Sequence, residues 1–376
     1  MNRILLALFG VLAVAIAVQA EGITFNLSKQ KIQPHQLDVL NDMMGERLTN
    51  KHDVIYKGVV TVGTPAKKFT VVFDTGSGLF WLPAKGCKSS GPHADACKDQ
   101  TMQYDPTASS TSKRLGGKAF NMYYGTGESK GHLYTDTLRI GDPANGKQLV
   151  MENTPVGAAM SIKYIDHGII GLSLKDNKNP KPVFQQLVDE GKMDKPIFTT
   201  YMKKCNGECE DGGALTLGGF DKVNCKEEIH WTPVVTGTSM WRFVVSGVKV
   251  GNYEAKNLNK FAITDTGTSY IQMPTQIFNA TIRELKAELR AERGSNFYLV
   301  PCDAKFSMTF TVSGKDFSVT EKEVLLNQGY GEKCVVAIGD AEKFDMFLLG
   351  DAFIRGHCQV YDIKEKKVGF APVKNH

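Results

Sequence analysis

Two carboxylates held close enough to share one proton can hydrolyse a peptide bond. One takes a proton from water as the water attacks the carbonyl, and the other protonates the carbonyl oxygen. The chain carries two copies of a tripeptide suited to that task, Asp74-Thr75-Gly76 and Asp265-Thr266-Gly267, 191 residues apart. The likeness extends beyond the tripeptides. Phe69-Thr70-Val71-Val72-Phe73 precedes the first copy and Phe261-Ala262-Ile263-Thr264 the second, while Ser77 and Thr268 follow at the same offset from each Asp. Each Asp thus ends an apolar run and opens a glycine-containing turn. Gly76 and Gly267 are expected to let the backbone bend tightly and offer its N–H groups to the carboxylates. The hydroxyls of Thr75, Ser77, Thr266 and Thr268 are expected to hold the loops and the carboxylates. Two like charges a few ångströms apart do not both ionise, so such a pair titrates as a unit. Ordinary surface Asp-Gly turns do not account for the matching flanks. A two-carboxylate glycosidase uses the same residue type at other spacings, and the paired hydroxyl turns argue against it.

The elements that must present these residues are strands. From Tyr56 onward the chain shows short β-rich runs, such as 59–62 and 69–73, broken by Gly, Pro and Asn turns, with few helical patterns. Each half runs from an Asp turn through further strands to a hydrophobic-hydrophobic-Gly element, Ile169-Ile170-Gly171 in the first and Leu348-Leu349-Gly350 in the second. The expectation is a mostly β, bilobal fold with a central cleft, its lobes spanning 47–222 and 223–376 and joined near 219–223. The segment Gly125-Thr126-Gly127-Glu128-Ser129-Lys130-Gly131 is glycine-rich but lacks a Gly-Lys-Ser/Thr ending and a following helix pattern. It reads as a β-hairpin and not a phosphate loop, and its glycines would let it close as a lid with Tyr124 beside the scissile bond. Ile282, Leu285 and Leu289, amid the sign-alternating run 283–293, predict an amphipathic helix covering the second lobe.

From about Tyr56 to the C-terminus the sequence resembles the pepsin-like aspartic proteases. The resemblance rests on Val72-Phe73-Asp74-Thr75-Gly76-Ser77 with Trp81 and Pro83 following, on Tyr124-Gly125-Thr126-Gly127, on Gly168-Ile169-Ile170-Gly171-Leu172, on Ala262-Ile263-Thr264-Asp265-Thr266-Gly267-Thr268-Ser269, and on Leu348-Leu349-Gly350-Asp351-Ala352-Phe353-Ile354-Arg355. It implies a catalytic dyad of Asp74 and Asp265, a flap containing Tyr124, Gly125 and Thr126, and Trp81 as hydrogen-bond partner of Tyr124. It also implies a polypeptide substrate, apolar preference around the cut, inhibition by pepstatin-like compounds, and no metal or cofactor. His167 stands where many relatives carry Asp, and Glu128 and Lys130 replace small polar residues at the flap tip; these departures bear on substrate preference. Disulfides Cys87–Cys97 and Cys302–Cys334 look like those of the family. A local bridge Cys205–Cys209 leaves Cys225 with Cys358, and a cysteine at both of these places resembles an invertebrate, nematode-like branch.

Eight cysteines, an even number, suit an oxidising compartment. Met1-Asn2-Arg3, the apolar run 4–18 and Val18-Gln19-Ala20 read as a signal peptide of residues 1–20, too short for a membrane anchor. Secretion or delivery to a lysosome follows. Residues 21–46, with a strand pattern at Ile23-Thr24-Phe25-Asn26-Leu27 and a helix pattern at 34–44, resemble a protease prosegment in position. Asn26 and Asn279 head Asn-x-Ser/Thr sequons. The formal charge is +5, but Lys and Arg are scattered, which argues against a nucleic-acid partner. Cys205, Cys209, Cys225 and His230 lack the second close ligand pair of a zinc site. A monomer is expected.

Overall fold

The computed structural model describes residues 23–30, 55–91, 94–125, 127–141, 148–165, 167–175, 180–205, 209–292, 295–342 and 344–374. The expected signal segment at 1–20 and the helix pattern at 34–44 lie outside them. Strands dominate, as expected, and α-helices are few and short.

The β-runs that bracket the first aspartate alternate or run apolar because they are buried on one or both faces. Lys67–Asp74 is exposed only at its start, and Val71 to Asp74 are all buried. It belongs to a thirteen-stranded sheet that also takes in strands from the far end of the chain. His357–Asp362 pairs antiparallel with Ile197–Met202 and with Lys367–Pro372, so the last strands of the chain extend the sheet built by the first half. A second sheet of eight strands is built from 242 onward and carries the second aspartate, and a four-stranded sheet lies beside it.

Both aspartate strands are placed by the same device. Lys67–Asp74 runs parallel to Gly168–Gly171, which also pairs antiparallel with Phe80–Ser90, so the short strand is threaded between the two arms of the aspartate loop. In the second sheet Lys260–Thr264 runs parallel to Met346–Leu349, which pairs antiparallel with Ile271–Met273. The repeated hydrophobic-hydrophobic-Gly elements are these threaded strands. Their glycines answer to close approach. A Cβ on Gly171 would lie 2.5 Å from the Ser77 carbonyl oxygen, and one on Gly350 2.1 Å from that of Thr268.

Residues Ile23–Gln30 form a strand, as the pattern at 23–27 predicts, seated between Cys209–Leu217 and Ile55–Val62. The three disulfides Cys87–Cys97, Cys225–Cys358 and Cys302–Cys334 form as expected. Cys205 is disulfide-bonded, but the side chain of its expected partner Cys209 lies outside the described residues. Cys225 is thereby committed to a buried bridge and is not a metal ligand.

The amphipathic helix expected to run through 283–293 is corrected. The helix is Thr275–Glu284, which buries Ile277, Phe278, Ala280 and Thr281, and Glu288–Glu292 turns back as a strand against Ser295–Pro301. Lys286 adopts φ +50°, with Ala287 N–H bonded to Ile282 O and Lys286 N–H to Arg283 O, a left-handed cap that ends the helix. Ile282 and Leu285 do pack on the core, but Leu289 belongs to the hairpin and is 58% exposed.

Candidate active site

Each aspartate leaves its strand into a turn that folds back on the carboxylate. Gly76 N–H donates to Asp74 Oδ1 at 2.8 Å, and the Ser77 hydroxyl donates to Oδ2. Gly267 N–H donates to Asp265 Oδ1 at 2.9 Å and Thr268 Oγ1 to Oδ2 at 2.6 Å. The sequence-level symmetry thus persists at the level of single atoms. Asp74 and Asp265 come together in side-chain hydrogen-bonding contact. The glycines serve a purpose beyond the expected bend, and neither adopts positive φ. A Cβ on Gly76 would lie 2.7 Å from Asp265 Oδ1, and one on Gly267 2.7 Å from Asp74 Oδ1. Any side chain there would occupy the space in which the carboxylates meet.

The threonines bind the loops to one another, as expected. Thr75 N–H donates to Thr266 Oγ1 at 3.0 Å, and Thr266 N–H donates to Thr75 Oγ1 at 3.0 Å. Each hydroxyl in turn donates a hydrogen bond across, Thr75 Oγ1 to Thr264 O at 2.9 Å and Thr266 Oγ1 to Phe73 O at 2.6 Å. Both threonines are buried, so these bonds work in a medium of low dielectric. The result is a crossed clamp that ties one half of the molecule to the other beneath the carboxylates. A further tie comes from Trp241, whose indole N–H donates to Leu172 O at 2.9 Å, while Leu172 N–H donates to Asp74 O at 2.7 Å.

The carboxylates differ in environment. Asp74 is buried and Asp265 half-buried. Burial, followed by the negative charge of Asp265, holds the Asp74 carboxyl well above its ordinary range, against the lowering effect of the Ser77 hydroxyl and Gly76 N–H. A like-charged neighbour in a desolvated pocket makes the second ionisation costly, so the pair is built to hold one proton between its two carboxyls.

The hairpin predicted at 125–131 is present: Lys113–Tyr123 pairs antiparallel with Glu128–Ile140, and Tyr124 N–H closes its tip on Gly127 O at 2.8 Å. Thr126 lies outside the described residues, and Gly125 is exposed. Trp81 Nε1 donates to the Tyr124 hydroxyl at 2.6 Å, the contact that the resemblance implies. Burial, then the Asp74 charge, raises the Tyr124 phenol, and Ser77 is a further hydrogen-bond partner. Trp81, Tyr124, Ser77 and Asp74 therefore form one connected set. Glu128 and Lys130, which depart from the family pattern, pair with each other at 2.9 Å, and the ammonium lies 5.8 Å from the Tyr123 ring centroid. That arrangement is on the hairpin's outer surface, where Tyr123 is 70% exposed.

Sequence reasoning missed Trp241 and Tyr361. Tyr361 sits beneath the clamp with its hydroxyl 2.9 Å from Thr264 Oγ1. Neither belongs to a motif, and only their long-range contacts reveal them. Asn279 is exposed on the helix Thr275–Glu284, and Asn26 lies on the strand Ile23–Gln30.

Comparison with known proteins agrees with this geometry. Residues 55–373 match the family model described as eukaryotic aspartyl protease. The chain is 31% identical to Aspartic protease 2 of Necator americanus, over 85% of this chain and 83% of that protein. It is 32% identical to Cathepsin E of Aquarana catesbeiana, over 87% and 82% of the two chains, and 32% identical to Vacuolar protease A of Aspergillus fumigatus, over 96% and 89%. With two matched aspartate loops clamped together under a hairpin and a family match that spans both halves, the chain belongs to the eukaryotic aspartyl proteases and is an aspartic-type endopeptidase.

Proposed function

We propose that this endopeptidase is an exported enzyme that cleaves polypeptides at acidic pH and is made as a zymogen. The observation that carries the catalytic reading is the contact between Asp74 and Asp265, each fixed by a backbone N–H and a hydroxyl. Asp74 supplies the proton for the carbonyl oxygen, and Asp265 accepts one from the attacking water. In that step a water O–H bond breaks, a C–O bond forms at the peptide carbon, and the carbonyl π bond opens so that its oxygen, protonated by Asp74, stays on that carbon as a hydroxyl. Collapse of this gem-diol breaks the C–N bond: the proton taken up by Asp265 goes to the leaving amine and a hydroxyl proton returns to Asp74, leaving a carboxylic acid. An extended substrate lies between the carboxylates and the hairpin, held by strand-like backbone hydrogen bonds, with apolar residues preferred on either side of the cut. Tyr124 orders the substrate and excludes water, and Trp81 holds its phenol in place.

Two features support the zymogen reading. Ile23–Gln30, within the segment 21–46, supplies a strand between two others, so its excision opens a gap in the sheet. Residues 21–46 also carry Glu21, Asp38, Asp42 and Glu46 against Lys29 and Lys31, a net charge of −2, on a chain whose total is +5. Acid protonates those carboxylates below about pH 5 and weakens the attraction, and salt screens it. The signal sequence at 1–20 supports export, to the outside or to a lysosome, and no helix among the described residues is long and apolar enough to cross a membrane. A pepsin-fold protein that binds peptides without cutting them is the alternative. It is disfavoured because both aspartates, both turn glycines and the hairpin tyrosine are all in place.

The test is digestion of an unfolded protein at acid and neutral pH, with and without pepstatin, by the native enzyme and by Asp74→Asn and Asp265→Asn. Both variants are expected to fold and to lose hydrolysis. Substantial turnover by either folded variant removes the dyad assignment. Equal rates of loss of residues 21–46 at pH 7 and pH 4, followed by mass spectrometry, remove the charge-held zymogen.

A further inference from the structure

Beneath the two aspartate loops lies a phenol that neither motif announces. Tyr361 is fully buried on the strand His357–Asp362. Its ring stacks on Phe198 with centroids 4.5 Å apart and planes at 14°, and meets Trp241 edge-on at 5.1 Å. Two large buried rings leave it no rotational freedom, so its hydroxyl is delivered to one place. That place is 2.9 Å from Thr264 Oγ1, on the residue just before Asp265.

Thr264 is a junction. Its carbonyl accepts the hydroxyl proton of Thr75 at 2.9 Å, which is one arm of the clamp between the loops, while its own hydroxyl meets the phenol. The Thr75 hydroxyl also approaches the phenol. So does that of Thr200, which is buried and makes no hydrogen bond of good geometry. The single Thr75 proton is committed to Thr264 O, so toward Tyr361 the Thr75 oxygen can only accept. Between the phenol and Thr264 Oγ1 either oxygen can donate. Burial, with the charge of Asp265 acting in the same direction, pushes the phenol up to about 12. It therefore remains a neutral donor wherever the enzyme works. Asp265 is the ionisable group that acts on it; Thr75, Thr200 and Thr264 face it as hydroxyls, and Phe198 and Trp241 as rings.

We propose that Tyr361 is a positioning residue for the dyad: its phenol, held on the long sheet by Phe198 and Trp241, anchors Thr264 and Thr75 and so sets how Asp74 and Asp265 face each other. It touches neither substrate nor reacting atoms. The clamp fixes the loops to one another, and Tyr361 fixes the clamp to the sheet.

The inference rests on the dyad reading above, and the test separates the two. Tyr361→Phe keeps the ring and its stacking and removes only the hydroxyl; Thr264→Val removes the partner hydroxyl at nearly constant shape. The measurements are kcat, KM and the pH profile of kcat on a peptide substrate, with Asp74→Asn as control. Misplacing reacting groups by a fraction of an ångström is expected to lower kcat of Tyr361→Phe about tenfold or more while KM stays within about twofold. The pH profile should shift as well, because the loops that carry the two carboxylates are no longer held in the same mutual arrangement. Thr264→Val should show the same pattern, and the double variant should be no worse than the poorer single one. Two results overturn the proposal: kcat and pH profile of Tyr361→Phe within about twofold of the native enzyme, or effects of the two substitutions that simply add. Turnover by folded Asp74→Asn instead overturns the dyad reading.

Discussion

The crossed clamp predicts a large and specific effect for Thr266→Val. The substitution keeps the branched shape and removes one hydroxyl whose two shortest bonds are accepted from Thr75 N–H at 3.0 Å and donated to Phe73 O at 2.6 Å. Thr75, Thr266 and Phe73 are all buried at 5% exposure or less, so water cannot replace either partner without opening the interface between the loops. A buried N–H left unpaired costs about 1–3 kcal/mol, and the lost bond to the Phe73 carbonyl contributes about 0.5–1.5 kcal/mol more. The carbonyl's second lone pair limits its own loss, so the expected total is about 2–4 kcal/mol. The reciprocal bond from Thr266 N–H to Thr75 Oγ1 survives. Denaturant unfolding of the disulfide-intact protein at constant pH reads the change as a fall in midpoint at unchanged slope. Thr266→Ser restores the hydroxyl and should recover most of the loss. Activity at a temperature well below unfolding should also fall, because the loosened loop carries Asp265. If Thr266→Val unfolds within about 0.5 kcal/mol of the native chain, a surface-like value, the two loops are not held by this clamp.

Further tests follow from the same structure. Tyr124→Phe retains the ring but loses the acceptor for Trp81, so activity should drop modestly, whereas Tyr124→Ala should drop it severely; equal and severe losses in steady-state assays would assign the essential role to the hydroxyl. Because the Asp74 carboxyl is raised above its ordinary value of 3.8, its contribution to stability is fully present below that pH and is lost as pH rises through the folded value. Unfolding midpoints of Asp74→Asn should therefore decline less than those of the native chain between about pH 3.5 and pH 7, and parallel curves would contradict the raised value. Replacing Cys225 and Cys358 together by Ala opens a loop of 133 residues, which the chain-entropy account values at about 5 kcal/mol. Calorimetry showing an unchanged transition would contradict that account.

Much of this protein was legible in its sequence. The Asp-Thr-Gly copies with hydroxyls at matched offsets identified the dyad loops, because tight turns and side-chain caps are local chemistry written in consecutive residues. Short apolar runs between turn residues identified strands for the same reason. The repeated Ile-Ile-Gly and Leu-Leu-Gly elements were visible as a rhyme, but their threading through the aspartate loops was not, since it depends on strands nearly 100 residues apart in the chain meeting in parallel, as Phe73 and Ile170 do. Helical spacing at Ile282, Leu285 and Leu289 predicted a helix past Glu284, and tertiary pairing of 288–292 with 295–301 overrode it. Only the folded chain showed why Gly76 and Gly267 carry no side chain, because the obstacle is the opposite carboxylate, delivered from 191 residues away. The same holds for Trp241 and Tyr361. Their partners Leu172 and Thr264 lie 69 and 97 residues off, at no period that a sequence displays, and the packing of two sheets alone decides that they meet.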